Sequence, residues 1–177
     1  RAGTGEGDMR AVDVRLNAIV DPERSGGHDL AELARMLAEG GATLIQLRDK
    51  QSDTRVLLER ARAIKAALEP LGVPLVINDR VDIALAIGAD GVHVGQTDMP
   101  VEIARRLLGR DAIIGLSIKS VALAEAAPIE LLDYVGVGGV YATTSKDNPN
   151  PPIGLEGLAR IAHVFRRRAV TFPLCAI

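Results

Sequence analysis

Short apolar runs alternate with stretches of helical periodicity along almost the whole chain. The apolar runs predict strands at 14–20, 43–47, 73–77, 91–95, 112–116, 134–137 and 171–177. Between them, apolar residues at helical spacing predict helices at 29–39, 54–68, 81–87, 100–108, 121–127 and 155–167. Strands that are apolar on both faces are typical of a parallel sheet covered by helices. The pattern therefore predicts an α/β fold.

Two architectures fit this alternation, an open doubly wound sheet and a closed (β/α)8 TIM barrel. We favour the barrel because polar residues follow almost every predicted strand, and a barrel gathers all of those strand ends around one site. An open sheet would concentrate its site at a single switch point. The last residues begin the seventh predicted strand. We therefore expect a barrel truncated within strand 7, as part of a polypeptide of roughly 200 residues or more.

The size of the chain fits one domain. With 177 residues, of which 47% are hydrophobic, the chain can bury one core. The polar, glycine-rich start predicts a flexible lead-in over residues 1–12. Residues 13–177 are predicted to form a single barrel domain that lacks its C-terminal end.

Charge and composition exclude several classes of partner. The net charge of −2 and the absence of Trp, with two Phe and two Tyr, argue against nucleic-acid binding. No apolar run approaches the roughly 20 residues that a membrane span needs. Cys175 is the single cysteine, which excludes a disulfide framework and fits a reducing, cytoplasmic location. We expect Cys175 itself to lie in the core.

Two carboxylates follow successive predicted strands. Asp79 comes directly after the third strand, and Asp98 comes shortly after the fourth. Because the ends of parallel strands lie side by side, the two carboxylates are predicted to converge on one hard cation such as Mg²⁺. The alternative is that each aspartate caps the helix that follows it.

Two cations follow the second predicted strand. Gln46 and Arg48 point to the same side of this strand, and Lys50 lies beyond its edge. An arginine directed inward from an apolar strand needs an anionic partner. Arg48 and Lys50 together suit a phosphate or diphosphate. The alternative is an internal ion pair of Arg48 with Asp79 or Asp82.

Further polar residues follow the third, fifth and sixth predicted strands. Asn78 adds a neutral donor and Lys146 a third cation, while the loop 138–146 offers backbone N–H groups and hydroxyls that suit a phosphate. For the hydroxyls of this loop, and for Ser117, a solvated surface turn is the alternative. His93 lies within an apolar strand and is predicted to be a core histidine.

Several of these residues belong to motifs that together match a known family. The motifs are Gln46-Leu47-Arg48-Asp49-Lys50, Asn78-Asp79, Gly95-Gln96-Thr97-Asp98, Gly115-Leu116-Ser117, and the stretch from Asp133 through Tyr141-Ala142-Thr143-Thr144-Ser145-Lys146. In this order and spacing, over roughly residues 14–177, the chain resembles the thiamine-phosphate synthase family. The resemblance implies a (β/α)8 barrel that joins a hydroxymethylpyrimidine diphosphate to a thiazole phosphate and releases diphosphate with Mg²⁺.

The resemblance also implies roles for individual residues. Asp79 and Asp98 would hold Mg²⁺. The thiazole phosphate would be held by Thr143, Thr144 and Ser145. The pyrimidine diphosphate would be held by Gln46, Leu47, Arg48, Asp49, Lys50, Asn78, Ser117 and Lys146. The catalytic set implied is Arg48, Lys50, Ser117 and Lys146, around a reaction that needs little acid–base machinery. The partners are then small-molecule substrates, with no nucleic acid and no membrane, and a homo-oligomer is allowed.

The chain departs from the family pattern in two places. Where the family commonly has Ser-x-His after strand five, this chain has Ser117-Ile118-Lys119. The family's remaining phosphate contacts, after strands seven and eight, have no counterpart in the sequence. Two alternative functions stay open: a thiazole tautomerase, which needs neither diphosphate nor Mg²⁺, and an inactive phosphate-binding relative whose charged strand ends pair internally.

Overall fold

Parallel strands in chain order form the sheet of this protein. The computed structural model describes residues 12–142 and 151–177. Its strands are β1 Asn17–Val20, β2 Leu44–Leu47, β3 Leu75–Asn78, β4 Gly91–Val94, β5 Ile113–Ile118, β6 Tyr134–Val137 and β7 Leu174–Ala176. Their order in the sheet is β1-β2-β3-β4-β5-β6-β7, and each neighbouring pair is parallel. A doubly wound sheet reverses its strand order at a switch point, so that alternative is wrong.

Helices connect the successive strands and cover one face of the sheet. They are α1 Leu30–Glu39, α2 Thr54–Leu68, α3 Val81–Ile87, α4 Val101–Leu108, α5 Val121–Ala126 and α6 Gly154–Arg168, with short 3₁₀ turns at Glu69–Leu71 and Ile129–Leu131. Local signals set their ends. The Asp29 side chain accepts a hydrogen bond from the N–H of Glu32 at 2.9 Å and so caps α1. Gly88 ends α3 with a φ of 62°, which favours glycine.

The predicted elements are confirmed, with differences at the ends of strands and helices. The largest differences lie at the two edge strands, predicted at 14–20 and 171–177. Strand β1 begins at Asn17 because the first paired residue on β2 is Leu44, and β7 pairs with β6 only from Leu174 to Ala176. Hydrophobic character alone extends a strand prediction past the point where a neighbour offers hydrogen bonds.

The two faces of the sheet bury different side chains. The outer face packs under the helices and forms the main core, which includes Ile45, Leu47, Ile77 and Val92. The inner face carries a smaller apolar cluster of Leu44, Val76, Ile113 and Tyr134. Further towards the carboxyl ends of the strands, the inner face becomes polar. The fold therefore directs its polar inner side chains towards one end of the sheet.

The sheet curls as a half-barrel. Asn17 on β1 approaches the thiol of Cys175 on β7 closely enough to offset part of the rise in its pKa that burial causes, although five strands lie between them. Strands β1 and β7 are nevertheless the edges of the sheet, and no strand of residues 12–142 and 151–177 pairs with both. Cys175 is half-buried rather than fully in the core. Val12, just before the predicted domain start, packs against the inner apolar cluster.

Within the described parts of the chain, no helix has the length and apolar character that crossing a bilayer requires.

Candidate active site

The inner polar side chains meet at the carboxyl ends of β2 to β5. In the sheet register, Gln46 on β2 lies beside Val76 on β3, and Asn78 on β3 lies beside His93 on β4. Residues on one strand point alternately to the two faces, so Gln46 and Asn78 share the inner face with His93 and Ser117. The edge predicted from the sequence is therefore the place where polar side chains collect.

Arg48 forms an ion pair with the first strand. Its Nη1 lies 2.5 Å from Oδ2 of Asp21, which directly follows β1. The Asp21 side chain is 7% exposed and that of Arg48 is 24% exposed. Oδ1 of Asp21 also accepts the N–H of Glu23 at 2.9 Å. The pair holds the guanidinium at the carboxyl edge of the sheet, partly open to solvent.

Neither alternative partner expected for Arg48 contacts it. Asp79 forms an ion pair with Lys50, and Asp82 forms one with Arg80. The hydrogen bond from Arg80 lowers the pKa of the Asp82 carboxyl. The alternative of an internal ion pair is therefore met by a different partner, since Arg48 pairs with Asp21 and not with Asp79 or Asp82.

Asp79 has an unusual backbone conformation. Its φ is 60°, in the left-handed region that few residues other than glycine adopt. Its N–H donates to the carbonyl oxygen of His93 at 2.8 Å, which fixes this conformation against β4. The side chain contacts Lys50, whose own side chain is 42% exposed. Backbone strain of this kind is found preferentially at functional sites.

Asp98 folds back onto the end of β4. Its Oδ2 accepts the N–H of Gly95 at 2.7 Å. The residues that precede helices α3 and α4 are Arg80 and Pro100, and neither helix has a side-chain cap. The helix-cap alternative for Asp79 and Asp98 is therefore wrong. The two aspartates follow the neighbouring strands β3 and β4, Asp79 with a strained backbone and Asp98 held by the N–H of Gly95.

These carboxylates fit Mg²⁺ as a partial ligand set. Mg²⁺ is usually bound through one or two carboxylates, with water and phosphate oxygens completing its shell. Asp79 and Asp98 each use one oxygen in the contacts above, so each has a second oxygen for a cation. Over residues 12–142 and 151–177, no group of three His, Cys, Asp or Glu side chains is arranged to hold a metal ion.

Leu47 and Asp49 point away from the inner face. Leu47 is fully buried in the main core, and Oδ2 of Asp49 lies 2.7 Å from Nη1 of Arg60 on α2. Burial raises the pKa of Asp49, but hydrogen bonds from Arg60 and Ser52 lower it by more, so the pKa lies below its usual range. The side chains of Leu47 and Asp49 thus pack β2 against α2. These two residues could contact a ligand only through their backbone atoms.

Two buried amide groups face the site without partners. Gln46 Nε2 and Asn78 Nδ2 are buried and make no hydrogen bond to the described part of the chain. A buried polar group without a partner costs about 1–3 kcal/mol. The two amides therefore mark a place where a ligand acceptor would restore hydrogen bonds.

His93 is buried, as predicted, but it also contacts the site. Its Nε2 lies 2.8 Å from Oγ of Ser117, and its Nδ1 lies 2.9 Å from the hydroxyl of Tyr134. Sequence reasoning missed both this link and Asp21. The signal for Asp21 was available, since it is a carboxylate directly after an apolar strand. Nothing in the sequence pattern indicated which partners His93 would find.

The other residues considered for the site are Lys119 and four residues of the loop after β6. Lys119 is exposed at the end of β5. Thr143, Thr144, Ser145 and Lys146 fall outside the described residues.

Sequence comparison decides the family. A family model described as thiamine monophosphate synthase matches residues 16–177. The chain belongs to this family.

Named relatives of the thiamine monophosphate synthase family cover nearly all of the chain. The thiamine-phosphate synthase of Agrobacterium fabrum is 50% identical over 169 residues, which are 96% of this chain and 77% of that protein. That of Albidiferax ferrireducens is 46% identical over 177 residues, or 99% of this chain and 78% of that protein. The solved thiamine phosphate pyrophosphorylase of Pyrococcus furiosus is 34% identical, with a TM-score of 0.75, over 92% of this chain and 74% of that one.

Proposed function

We propose that this protein joins a hydroxymethylpyrimidine diphosphate to a thiazole phosphate, with release of diphosphate, as a transferase of thiamine biosynthesis. Membership of the family and the names of its relatives support this activity. The observation that carries the substrate assignment is the pair of buried, unpartnered amides of Gln46 and Asn78, on the same strand ends as Arg48 and the Lys50–Asp79 ion pair. Amide donors and cations together suit a ligand that is both heteroaromatic and strongly anionic.

We propose the following division of labour at the site. Gln46 and Asn78 donate to the pyrimidine diphosphate and fix its orientation. Arg48 and Lys50 take up the charge of the departing diphosphate, the Arg through its planar fork and the Lys as a point charge. Ser117 adds a hydroxyl donor. Lys146 is assigned to the same diphosphate, and the segment 143–145 to the thiazole phosphate, from the sequence.

Asp79 and Asp98 would hold Mg²⁺, which would supply a positive charge to the diphosphate oxygens. The electron-rich aminopyrimidine can carry positive charge at its methylene carbon when the diphosphate leaves, and the thiazole nitrogen then bonds to that carbon. No general base is needed, since the nitrogen that attacks carries a lone pair and no proton. The inner face mainly orients the partners and limits access of water to the cation.

We further propose that the half-barrel is the larger part of a (β/α)8 barrel. The chain-order parallel strands and the approach of Asn17 to Cys175 support this architecture, because both are expected of a sheet that curves towards closure. The division into a lead-in over 1–12 and a barrel domain over 13–177 stays a prediction. The cytoplasmic location and a homo-oligomer also stay predictions.

The internal ion pairs keep the inactive relative open as an alternative, beside the tautomerase. Arg48 and Lys50 both have carboxylate partners, as an inactive phosphate-binding relative would. Calorimetric titration with inorganic diphosphate, with and without Mg²⁺, separates the alternatives. Binding that requires Mg²⁺ supports the synthase, metal-independent binding supports the tautomerase alternative, and no binding supports the inactive relative.

Matched variants make the assignment of the amides testable. Gln46→Met keeps the size of the side chain but removes its donor, so diphosphate substrate should bind about tenfold more weakly or worse. Gln51→Met is the control, because Gln51 is exposed beyond the end of β2. Equal turnover by the two variants would exclude Gln46 from the site.

A further inference from the structure

A chain of three side chains runs from the interior of the half-barrel to the carboxyl end of β5. The hydroxyl of Tyr134 lies 2.9 Å from Nδ1 of His93, and Nε2 of His93 lies 2.8 Å from Oγ of Ser117. Tyr134 is fully buried and His93 is 4% exposed. Ser117 is half-buried and lies where β5 approaches the site. Only the last member of this chain can reach a ligand.

Two glycines provide the space for these rings. A Cβ on Gly115 would lie 2.2 Å from Cζ of Tyr134 and 2.6 Å from Nδ1 of His93. A Cβ on Gly136 would lie 3.0 Å from Cε1 of His93. A larger residue at either position would displace the rings. The observed positions of His93 and Tyr134 therefore require glycine at these two places in β5 and β6.

Hydrogen-bond requirements define the direction of the chain. Burial raises the pKa of the Tyr134 phenol far above its usual range, so the phenol keeps its proton. A buried O–H group needs an acceptor, and in the described part of the chain the acceptor beside Tyr134 is Nδ1 of His93. The imidazole hydrogen then resides on Nε2, which donates to Oγ of Ser117.

This direction leaves the proton of Ser117 for another acceptor. With Oγ accepting from His93, the serine hydroxyl can donate its own hydrogen towards the site. In the opposite tautomer, Ser117 would donate to His93, and the buried phenol of Tyr134 would lose its acceptor. The first arrangement gives the buried phenol its acceptor and presents the Ser117 hydroxyl as a donor to an anion.

We propose that Tyr134 and His93 are positioning residues that hold the Ser117 hydroxyl as a hydrogen-bond donor to the substrate diphosphate. The proposal rests on the function proposed above, in which Ser117 contacts that group. Tyr134 and His93 touch no substrate themselves. They act by making Ser117 Oγ the acceptor of the Nε2 hydrogen of His93, so that the hydroxyl hydrogen of Ser117 points towards the substrate.

The tautomer can be measured directly. Nitrogen NMR of ¹⁵N-histidine-labelled protein distinguishes the two imidazole tautomers, and His28→Gln and His163→Gln variants assign the signals. We expect His93 to carry its hydrogen on Nε2 in the protein without ligand. A hydrogen on Nδ1 would overturn the proposal without affecting the proposed function. Because the wild-type protein is used, this result does not depend on the folding of a variant.

A double-mutant cycle tests the consequence for binding. Tyr134→Phe removes only the hydroxyl, so inorganic diphosphate with Mg²⁺ should bind about two- to tenfold more weakly. In the Ser117→Ala background the same change should have no further effect, because the donor that it directs is absent. Independent losses in the two variants would show that Tyr134 acts through packing, and would overturn the proposal.

Two further outcomes separate this proposal from the proposed function. If Ser117→Ala binds diphosphate as the wild type does, the assignment of Ser117 fails and the positioning role falls with it. If Ser117→Ala weakens binding but Tyr134→Phe does not, the function stands and the positioning role is wrong. Loss of the single Nε2–H tautomer in Tyr134→Phe, with weakened binding, supports the proposal.

Discussion

Asp79 offers a test that separates its backbone conformation from its carboxylate. At a φ of 60°, a residue with a Cβ is strained by about 1–2 kcal/mol, while glycine is not. Asp79→Gly and Asp79→Ala both remove the carboxylate and the ion pair with Lys50. This pair is worth about 0–1 kcal/mol because Lys50 is 42% exposed. The two variants therefore differ mainly in backbone strain.

We expect Asp79→Gly to be more stable than Asp79→Ala by about 1 kcal/mol, because glycine relieves the backbone strain. The extra entropy of glycine in the unfolded chain offsets part of this gain. For a domain of this size, that difference corresponds to a shift in Tm of about 2–4 °C. Both variants should nevertheless lose Mg²⁺-dependent turnover about 100-fold or more, because the carboxylate is gone from each.

Thermal unfolding followed by circular dichroism, together with turnover at increasing Mg²⁺ concentration, measures both quantities. We thus expect Asp79→Gly to fold well and to turn over substrate poorly. Full turnover by Asp79→Gly would refute the metal assignment. Equal Tm values for the two variants would refute the strain at Asp79.

Three further predictions follow from contacts in the fold. Arg48→Lys should lower kcat/KM for the pyrimidine diphosphate about tenfold, since the charge stays but the planar fork is lost; unchanged kinetics would leave Arg48 with a structural role only. Gly115→Ala should lower the free energy of unfolding by about 1–3 kcal/mol in urea titration, because its Cβ would collide with the Tyr134 ring. The pKa of Asp49 is lowered in the fold, so its stabilising contribution is present above the unfolded pKa and is lost as the pH falls through the folded value. Asp49→Asn should therefore lose less stability than the wild type in acid unfolding below about pH 4, and identical acid profiles would contradict the assigned shift.

The sequence predicted the order and type of the elements well because both depend on local patterns. Helices 54–68 and 81–87 end where the prediction placed them, since Pro70, Gly72 and Gly88 stop them through backbone geometry that needs no tertiary partner. The edge strands were predicted too long, because their length depends on neighbours that a single strand does not reveal.

The sequence predicted which polar residues lie at strand ends, but not which of them contact one another. The positions of Asp79 and Asp98 follow from parallel pairing, and both lie at the carboxyl end of the sheet. The partner of Arg48 could not be predicted, because Asp21, Asp79 and Asp82 all follow or flank strand ends, and only the folded geometry selects Asp21. The chain from Tyr134 through His93 to Ser117 has no sequence signature, since it consists of two hydrogen bonds between residues on three different strands.

The ion pair between Lys50 and Asp79 links the affinities of the two ligands proposed for this site. Each partner neutralises the other when the site is empty. A cation that draws charge from Asp79 would weaken its hold on Lys50 and favour an anion there, and an anion at Lys50 would likewise favour a cation at Asp79. When one ligand alone displaces a partner of this ion pair, the other residue loses its counter-charge. When both ligands bind, each residue has a new counter-charge. If both proposed ligands bind here, we therefore expect positive cooperativity between them. Linkage makes the effect reciprocal: the factor by which Mg²⁺ tightens diphosphate binding equals the factor by which diphosphate tightens Mg²⁺ binding.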